Sequence, residues 1–209
     1  MEIVNGKIED YIYELNPTLD PVLIEMEALG GRKNFPIVGP LVGRLLYQLT
    51  RLSRAASVFE MGSGFGYSTY WFGMAIPHPG FIYHTDTSSE NSKLAQDFLR
   101  KGRLMNKVRF LVGNAVELID HTREAFDIIF IDIEKEDYPA AYEKAKKRIR
   151  PGGLLIADNS LWFGRVLDKK GDRATEGIKK FNQLLASDKD FFQVIIPLRD
   201  GVSVNYKLK

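Results

Sequence analysis

The stretch EMGSGFGYS, Glu60 to Ser68, sets Gly62, Gly64 and Gly66 two residues apart behind an acid. An apolar run, SVFEM, leads into it, and a helix-like run through Trp71 leads away. Glycines at the end of a strand permit a tight turn and let a ligand approach the backbone closely. The dinucleotide fingerprint needs G-x-G-x-x-G, and here Tyr67 occupies the last position, so that spacing fails. A phosphate-binding loop needs Gly-Lys-Ser/Thr, which is absent. G-x-G-x-G behind an acid instead suits a nucleoside ligand without a pyrophosphate. Asp86 ends the next strand-like run, FIYHTD, 20 residues beyond Gly66. A carboxylate there can accept hydrogen bonds from both hydroxyls of a ribose.

Outward from this loop, short apolar runs alternate with helical stretches: SVFEM, FIYHTD, VRFLVG, FDIIFID and GLLIADN. Such alternation predicts a parallel sheet covered on both faces. FFQVIIPL and VSVNYKL flank Arg199-Asp200-Gly201 and read as an antiparallel hairpin around an Asp-Gly turn. Before residue 54 the pattern is helical. Ile8, Tyr11, Ile12 and Leu15 share a face. Asp20-Pro21 reads as a cap followed by proline at the first helical position, and Gly30-Gly31 as the end of that helix. Leu41 to Leu49 gives a third helix. The expected organisation is one domain over 1–209, with a helical cap (1–53) on an α/β core (54–209).

A second constellation falls on the same sheet edge. The fourth strand ends at Asp132, with Lys135 just beyond, and the fifth ends at Asp158-Asn159. Parallel strands set their carboxyl ends side by side, so residues 26 apart in sequence can converge. Two carboxylates and an amide oxygen form a hard, oxygen-rich set that suits Mg²⁺, with Mn²⁺ or Ca²⁺ as alternatives, rather than zinc. His78, His84 and His121 are scattered without ligand spacing.

Composition narrows the rest. The chain has 209 residues and no cysteine, which excludes disulfides, thiolate metal sites and cysteine nucleophiles and is compatible with a reducing cytoplasm. The opening MEIVNGKIEDYIYELNP lacks a signal-peptide core, and no apolar run approaches the roughly 20 residues of a membrane helix. A net charge of +2 gives no nucleic-acid footprint, and the basic run KAKKRIR, Lys144 to Arg150, reads as the solvated face of a helix.

Four stretches, FEMGSGFGYS, FIDIEKEDY, GLLIADNSLWFGRV and IIPLRDGVSVNYK, resemble the cation-dependent O-methyltransferases of the catechol and caffeoyl-CoA type. The resemblance runs from about Phe35 to Lys209. It implies a Rossmann-like, doubly wound, mostly parallel seven-stranded sheet and S-adenosylmethionine as methyl donor. By position, Glu60, Gly62, Gly64, Gly66, Tyr67 and Ser68 would line the cofactor site, Asp86 would hold the ribose, and Asn114 would lie by the adenine. Asp132, Asp158 and Asn159 would bind the cation, Asp132 also bordering the cofactor, and Lys135 would stand beside the acceptor hydroxyl as general base. Asn182 matches a further family position. The family often carries a bulky residue at Gly64, glutamate at Asp86 and aspartate at Asn114, and a smaller pair at Ile133-Glu134. The implied acceptor is a small phenolic or catechol-type molecule, and the implied assembly a homodimer. Two alternatives stay open: a tRNA hydroxyuridine as acceptor, with the Lys144–Arg150 run on its phosphates, and a non-catalytic module that only binds S-adenosylmethionine. Trp162 and Phe163 read equally as acceptor pocket and as core, and Tyr138-Pro139 as a helix start alone.

Overall fold

Seven strands form one sheet in the order β3-β2-β1-β4-β5-β7-β6 in the computed structural model, which describes residues 3–209. They are β1 (Ser57–Met61), β2 (Phe81–Asp86), β3 (Val108–Val112), β4 (Phe126–Ile131), β5 (Ile149–Ala157), β6 (Phe191–Ile196) and β7 (Val202–Lys207). The first five run parallel, and β7 pairs antiparallel with both β5 and β6. The expected mixed sheet with a terminal hairpin is therefore present. The strand order reverses between β1 and β4, and in open α/β sheets ligands bind beyond the carboxyl ends at such a point.

Among the described residues eight α-helices accompany the sheet: α1 (Gly6–Leu15), α2 (Pro21–Lys33), α3 (Gly39–Leu52), α4 (Tyr67–Ala75), α5 (Ser89–Lys101), α6 (Ala115–Leu118), α7 (Tyr138–Arg148) and α8 (Arg173–Ser187). Alternate residues of the central strands feed two cores. Val58, Ile128, Phe130 and Ile156 face Leu23, Leu46, Phe72 and Leu99 of α2 to α5. Phe59, Ile129, Ile131 and Leu155 face Tyr138, Tyr142, Phe181 and Leu185 of α7 and α8. This period-two division is why the central strands read as continuous apolar runs.

Three local expectations change. First, α2 does not stop at Gly30-Gly31 but runs through them to Lys33, capped by Asn34 in a left-handed conformation. Gly30 is buried inside the helix, and a Cβ there would lie 3.4 Å from the Phe35 carbonyl, so the glycine serves close packing of the following loop. Second, β5 starts at Ile149 rather than Gly153, because the ladder with β4 passes Pro151-Gly152 through a register shift. Third, α8 was not anticipated, although Ile178, Phe181 and Leu185 carry its buried face at helical spacing. Among the described residues no helix is long and apolar enough to cross a membrane.

Candidate active site

At the carboxyl edge of β1, backbone hydrogen bonds continue past the strands and hold their tips side by side. Asp132 N donates to Met61 O (2.8 Å), Asp158 N to Ile131 O (3.1 Å) and Ser63 N to Thr85 O (2.9 Å). Gly62 sits at φ +82°, and a Cβ there would fall 2.2 Å from the Asp132 carbonyl oxygen. Only a bare residue lets the β1 tip press this closely on β4. Gly64 meets a different neighbour: a Cβ would lie 2.9 Å from the Phe35 ring. Phe35 thus fills the space that a side chain at residue 64 would take, and it also stacks edge-on against Phe65 at 5.1 Å.

A cavity of about 640 Å³ opens over this edge. Gly62, Gly64, Tyr67, Ser68, Asp86 and Asn114 line one end, and Asp132, Lys135, Asp158 and Asn159 the other. The two constellations read from sequence therefore share one space. Glu60 and Gly66 do not line it. Glu60 is fully buried behind the loop, where Thr69 and Ser63 donate to its Oε2, and burial raises its carboxyl pKa to about 7. The Thr69 hydroxyl also contacts Nδ1 of buried His84 at 3.0 Å, and burial lowers that imidazole to about 3.

Asp86 is busier than expected. Its Oδ2 accepts from Gly64 N (2.9 Å), and its Oδ1 from Ser88 N (2.8 Å) and Asn91 Nδ2 (3.1 Å). A carboxylate has about four acceptor positions, so one stays open, and two ribose hydroxyls would need one of these bonds to exchange. Asn114 caps α6 through Val116 N (2.9 Å), which leaves its amide NH₂ for a ligand.

At the other end, the Lys135 ammonium contacts Asp132 Oδ1 (2.9 Å), Ile133 O (3.0 Å) and the Tyr138 hydroxyl (3.0 Å). Tyr138 is fully buried and also reaches Asp158 O at 3.1 Å. It does more than begin a helix, and proline at the next position gave no sign of that. Asp158 is 3 % exposed, with no hydrogen-bond partner at Oδ1. Burial first, and the Asp132 charge second, push its pKa up. Two carboxylates at one edge, one with an orphaned buried oxygen, form an environment that a cation would satisfy. Among the described residues no group of three or more His, Cys, Asp or Glu converges on a metal position; the expected set contains only two such residues and completes itself with Asn159.

Phe35, Pro36, Ile37 and Val38 line the cavity, as do Trp162 and Phe163. Trp162 is also packed on the α7–α8 core, so it serves both roles left open by the sequence. Asn182 does not line the cavity; its amide donates to Ser160 O at 2.8 Å and braces the loop after β5. Arg199 was read only as part of a turn. It lines the cavity and donates to the carbonyls of Ile37 and Val38, tying the hairpin to the wall loop.

The family model for O-methyltransferases matches residues 23–208. The chain belongs to the O-methyltransferase family. It is 29% identical over 188 residues to a catechol O-methyltransferase of Niastella koreensis, covering 87% of this chain and 85% of that protein. It is 27% identical over 219 residues to a caffeoyl-CoA O-methyltransferase of Populus kitakamiensis, covering 96% and 93%. The crystal structure of the O-methyltransferase from Bacillus cereus in complex with SAH superimposes with a TM-score of 0.86 at 27% identity, covering 97% of each chain. Membership accounts for the shared edge: an O-methyltransferase must hold a methyl donor and a hydroxylated acceptor in one space.

Proposed function

We propose that this protein transfers the methyl group of S-adenosylmethionine to a hydroxyl of a small phenolic or catechol-type acceptor, with a divalent cation at Asp132, Asp158 and Asn159. The observation that carries this reading is the placement of Asp132, Lys135 and the orphaned Asp158 oxygen in the same cavity as the glycine loop. The SAH-bound Bacillus cereus relative supports the donor.

In the reaction, a C–O bond forms to the acceptor oxygen as the S–C bond of the sulfonium breaks, and the hydroxyl proton must leave. A divalent cation, when bound, lowers the pKa of the acceptor hydroxyl and orients it. In this reading Lys135 receives the proton. Its ammonium makes three hydrogen bonds, so before it can act as a base it must release one proton to solvent through the cavity it lines. Tyr138 suits this exchange, since its hydroxyl accepts from an ammonium and can turn to donate to a neutral amine. General-base help is worth roughly 10²- to 10⁴-fold, and holding both reactants in line about 7–11 kcal/mol, so positioning is the larger contribution. Phe35 and Trp162 offer apolar walls to a flat ring.

The tRNA alternative has less support, since most of the basic run is engaged within the chain and Lys147 alone of the five is exposed. Lys144, Lys146 and Arg150 pair with Asp120, Asp188 and Asp127, and Arg148 donates to the carbonyls of Thr122 and Glu124. The run also leads directly into the start of β5, at the sheet edge opposite the cavity. The reading extends to a cytoplasmic homodimer; Tyr11, Leu15 and Leu19 offer exposed apolar surface, and size-exclusion chromatography with light scattering tests it.

The test is a methyl-transfer assay on catechol, caffeoyl-CoA and tRNA, with and without chelator. Transfer to a catechol that chelator abolishes and Mg²⁺ restores is expected. Undiminished transfer in excess chelator removes the cation, and transfer to tRNA alone replaces the acceptor.

A further inference from the structure

Asn159 is the only candidate cation ligand that is not a carboxylate. An amide can turn either its oxygen or its nitrogen toward a neighbour, and only the oxygen binds a hard cation. Something must therefore fix which way it faces.

Asp200 stands in that position. It is 41 residues away in sequence and 6 % exposed. Its Oδ2 accepts from Asn159 Nδ2 at 3.3 Å, and its Oδ1 from the backbone amide of Phe163. Backbone bonds clamp the two loops together: Leu161 N donates to Asp200 O (2.9 Å) and Ser160 N to Gly201 O (2.8 Å). Arg199 and Gly201 on either side have φ of +50° and +85°, so the tight turn between β6 and β7 presents Asp200 to the loop after β5. An ionised carboxylate has acceptors only. The Asn159 amide must then offer its nitrogen to Asp200, and its oxygen takes the other branch, on a residue that lines the cavity with Asp132 and Asp158.

We infer that Asp200 is a positioning residue that locks Asn159 with its amide oxygen available to the cation. The inference rests on the cation-dependent reading given above. Bracing of the 159–163 loop and orientation of the amide are separable, because Oδ1 serves the first and Oδ2 the second. Partners that orient metal ligands typically matter by about 10- to 100-fold in metal affinity.

Mn²⁺ binding to the full-length protein, followed by the electron paramagnetic resonance of the free ion in the presence of S-adenosylmethionine, tests this. D200A should weaken Mn²⁺ about 10- to 100-fold, and S-adenosylmethionine affinity should stay within about twofold, since Asp200 touches none of the residues at that end. In an N159A background, D200A should change Mn²⁺ affinity less than about twofold, because the residue it acts through is gone. E134Q removes a charge from the same cavity wall without a hydrogen bond to Asn159, and it should leave Mn²⁺ affinity within about threefold. If D200A fails to fold, D200N keeps the volume with one acceptor oxygen fewer and should weaken Mn²⁺ in the same direction. Equal effects of D200A in the parent and N159A backgrounds, or an effect of E134Q as large as that of D200A, would overturn the inference while leaving the cation site standing. Absence of saturable Mn²⁺ binding in the parent would remove the cation reading and the inference with it.

Discussion

The Tyr138 hydroxyl lies 3.0 Å from the Lys135 ammonium, and both groups are buried. Burial, with Asp132 and Asp158 nearby, pushes the phenol's pKa well up, so it stays a neutral partner. Tyr138→Phe leaves an ammonium donor without its acceptor, and such a loss costs about 1–3 kcal/mol. We expect kcat to fall about tenfold, with S-adenosylmethionine affinity unchanged and the rising limb of the pH–rate profile, where the base becomes free, displaced. A profile identical to the parent's would show that Tyr138 only packs.

Lys135→Arg separates charge from proton transfer. Arginine keeps the pairing with Asp132 but does not deprotonate in proteins. Turnover should fall roughly 10²- to 10⁴-fold while donor binding persists. Lys135→Met should lose as much. If the arginine variant keeps more than about a tenth of the parent rate, Lys135 acts as a fixed charge and not as a base.

Glu60 predicts a pH dependence of stability. Its carboxyl titrates near an ordinary 4.5 when unfolded and is raised to about 7 by burial in the fold. Below 4.5 both states are protonated, and above 7 neither is. Between them the folded state holds the extra proton, so stability falls as pH rises through that window. The shift corresponds to about 3 kcal/mol. Glu60→Gln cannot titrate, so its stability relative to the parent should rise by about that amount between pH 4.5 and 8. Urea denaturation across the range measures the difference, and a gap independent of pH would refute the account.

Gly62→Ala tests the junction of β1 and β4. The added methyl would overlap the Asp132 carbonyl at 2.2 Å, and left-handed backbone costs a non-glycine residue about 1–2 kcal/mol before any overlap. Stability should drop by more than about 2 kcal/mol. Any folded protein should bind S-adenosylmethionine weakly, because the loop must lift from the strand tip. Calorimetry of unfolding and of donor binding reads both effects.

Much of this was legible in advance. The period-two division of residues such as Val58 and Phe59 wrote the doubly covered sheet into the sequence. Strand ends at Asp86, Asp132 and Asp158 placed the chemistry on one edge. Other features depend on contacts that no local pattern records. Gly30-Gly31 looked like a helix stop because propensity speaks only of the isolated helix, whereas Phe35 packs against it. The acidic run before Tyr138 hid a hydroxyl whose partner is three residues back and buried. The resemblance put Glu60 among the cofactor-lining positions, and no local pattern shows that its side chain is buried with Thr69 donating to it. Asp200 read as half of a turn, since its meaning lies 41 residues upstream.

The insertion of β7 between β5 and β6 has a consequence for synthesis. A chain leaving the ribosome can pair β1 through β5 in the order they emerge. The slot beside β5 stays vacant until residues 202–207 appear, and β6 has no neighbour to dock on before then. Until translation reaches that strand, a nascent chain exposes the naked flank of β5, the kind of surface that chaperones shield.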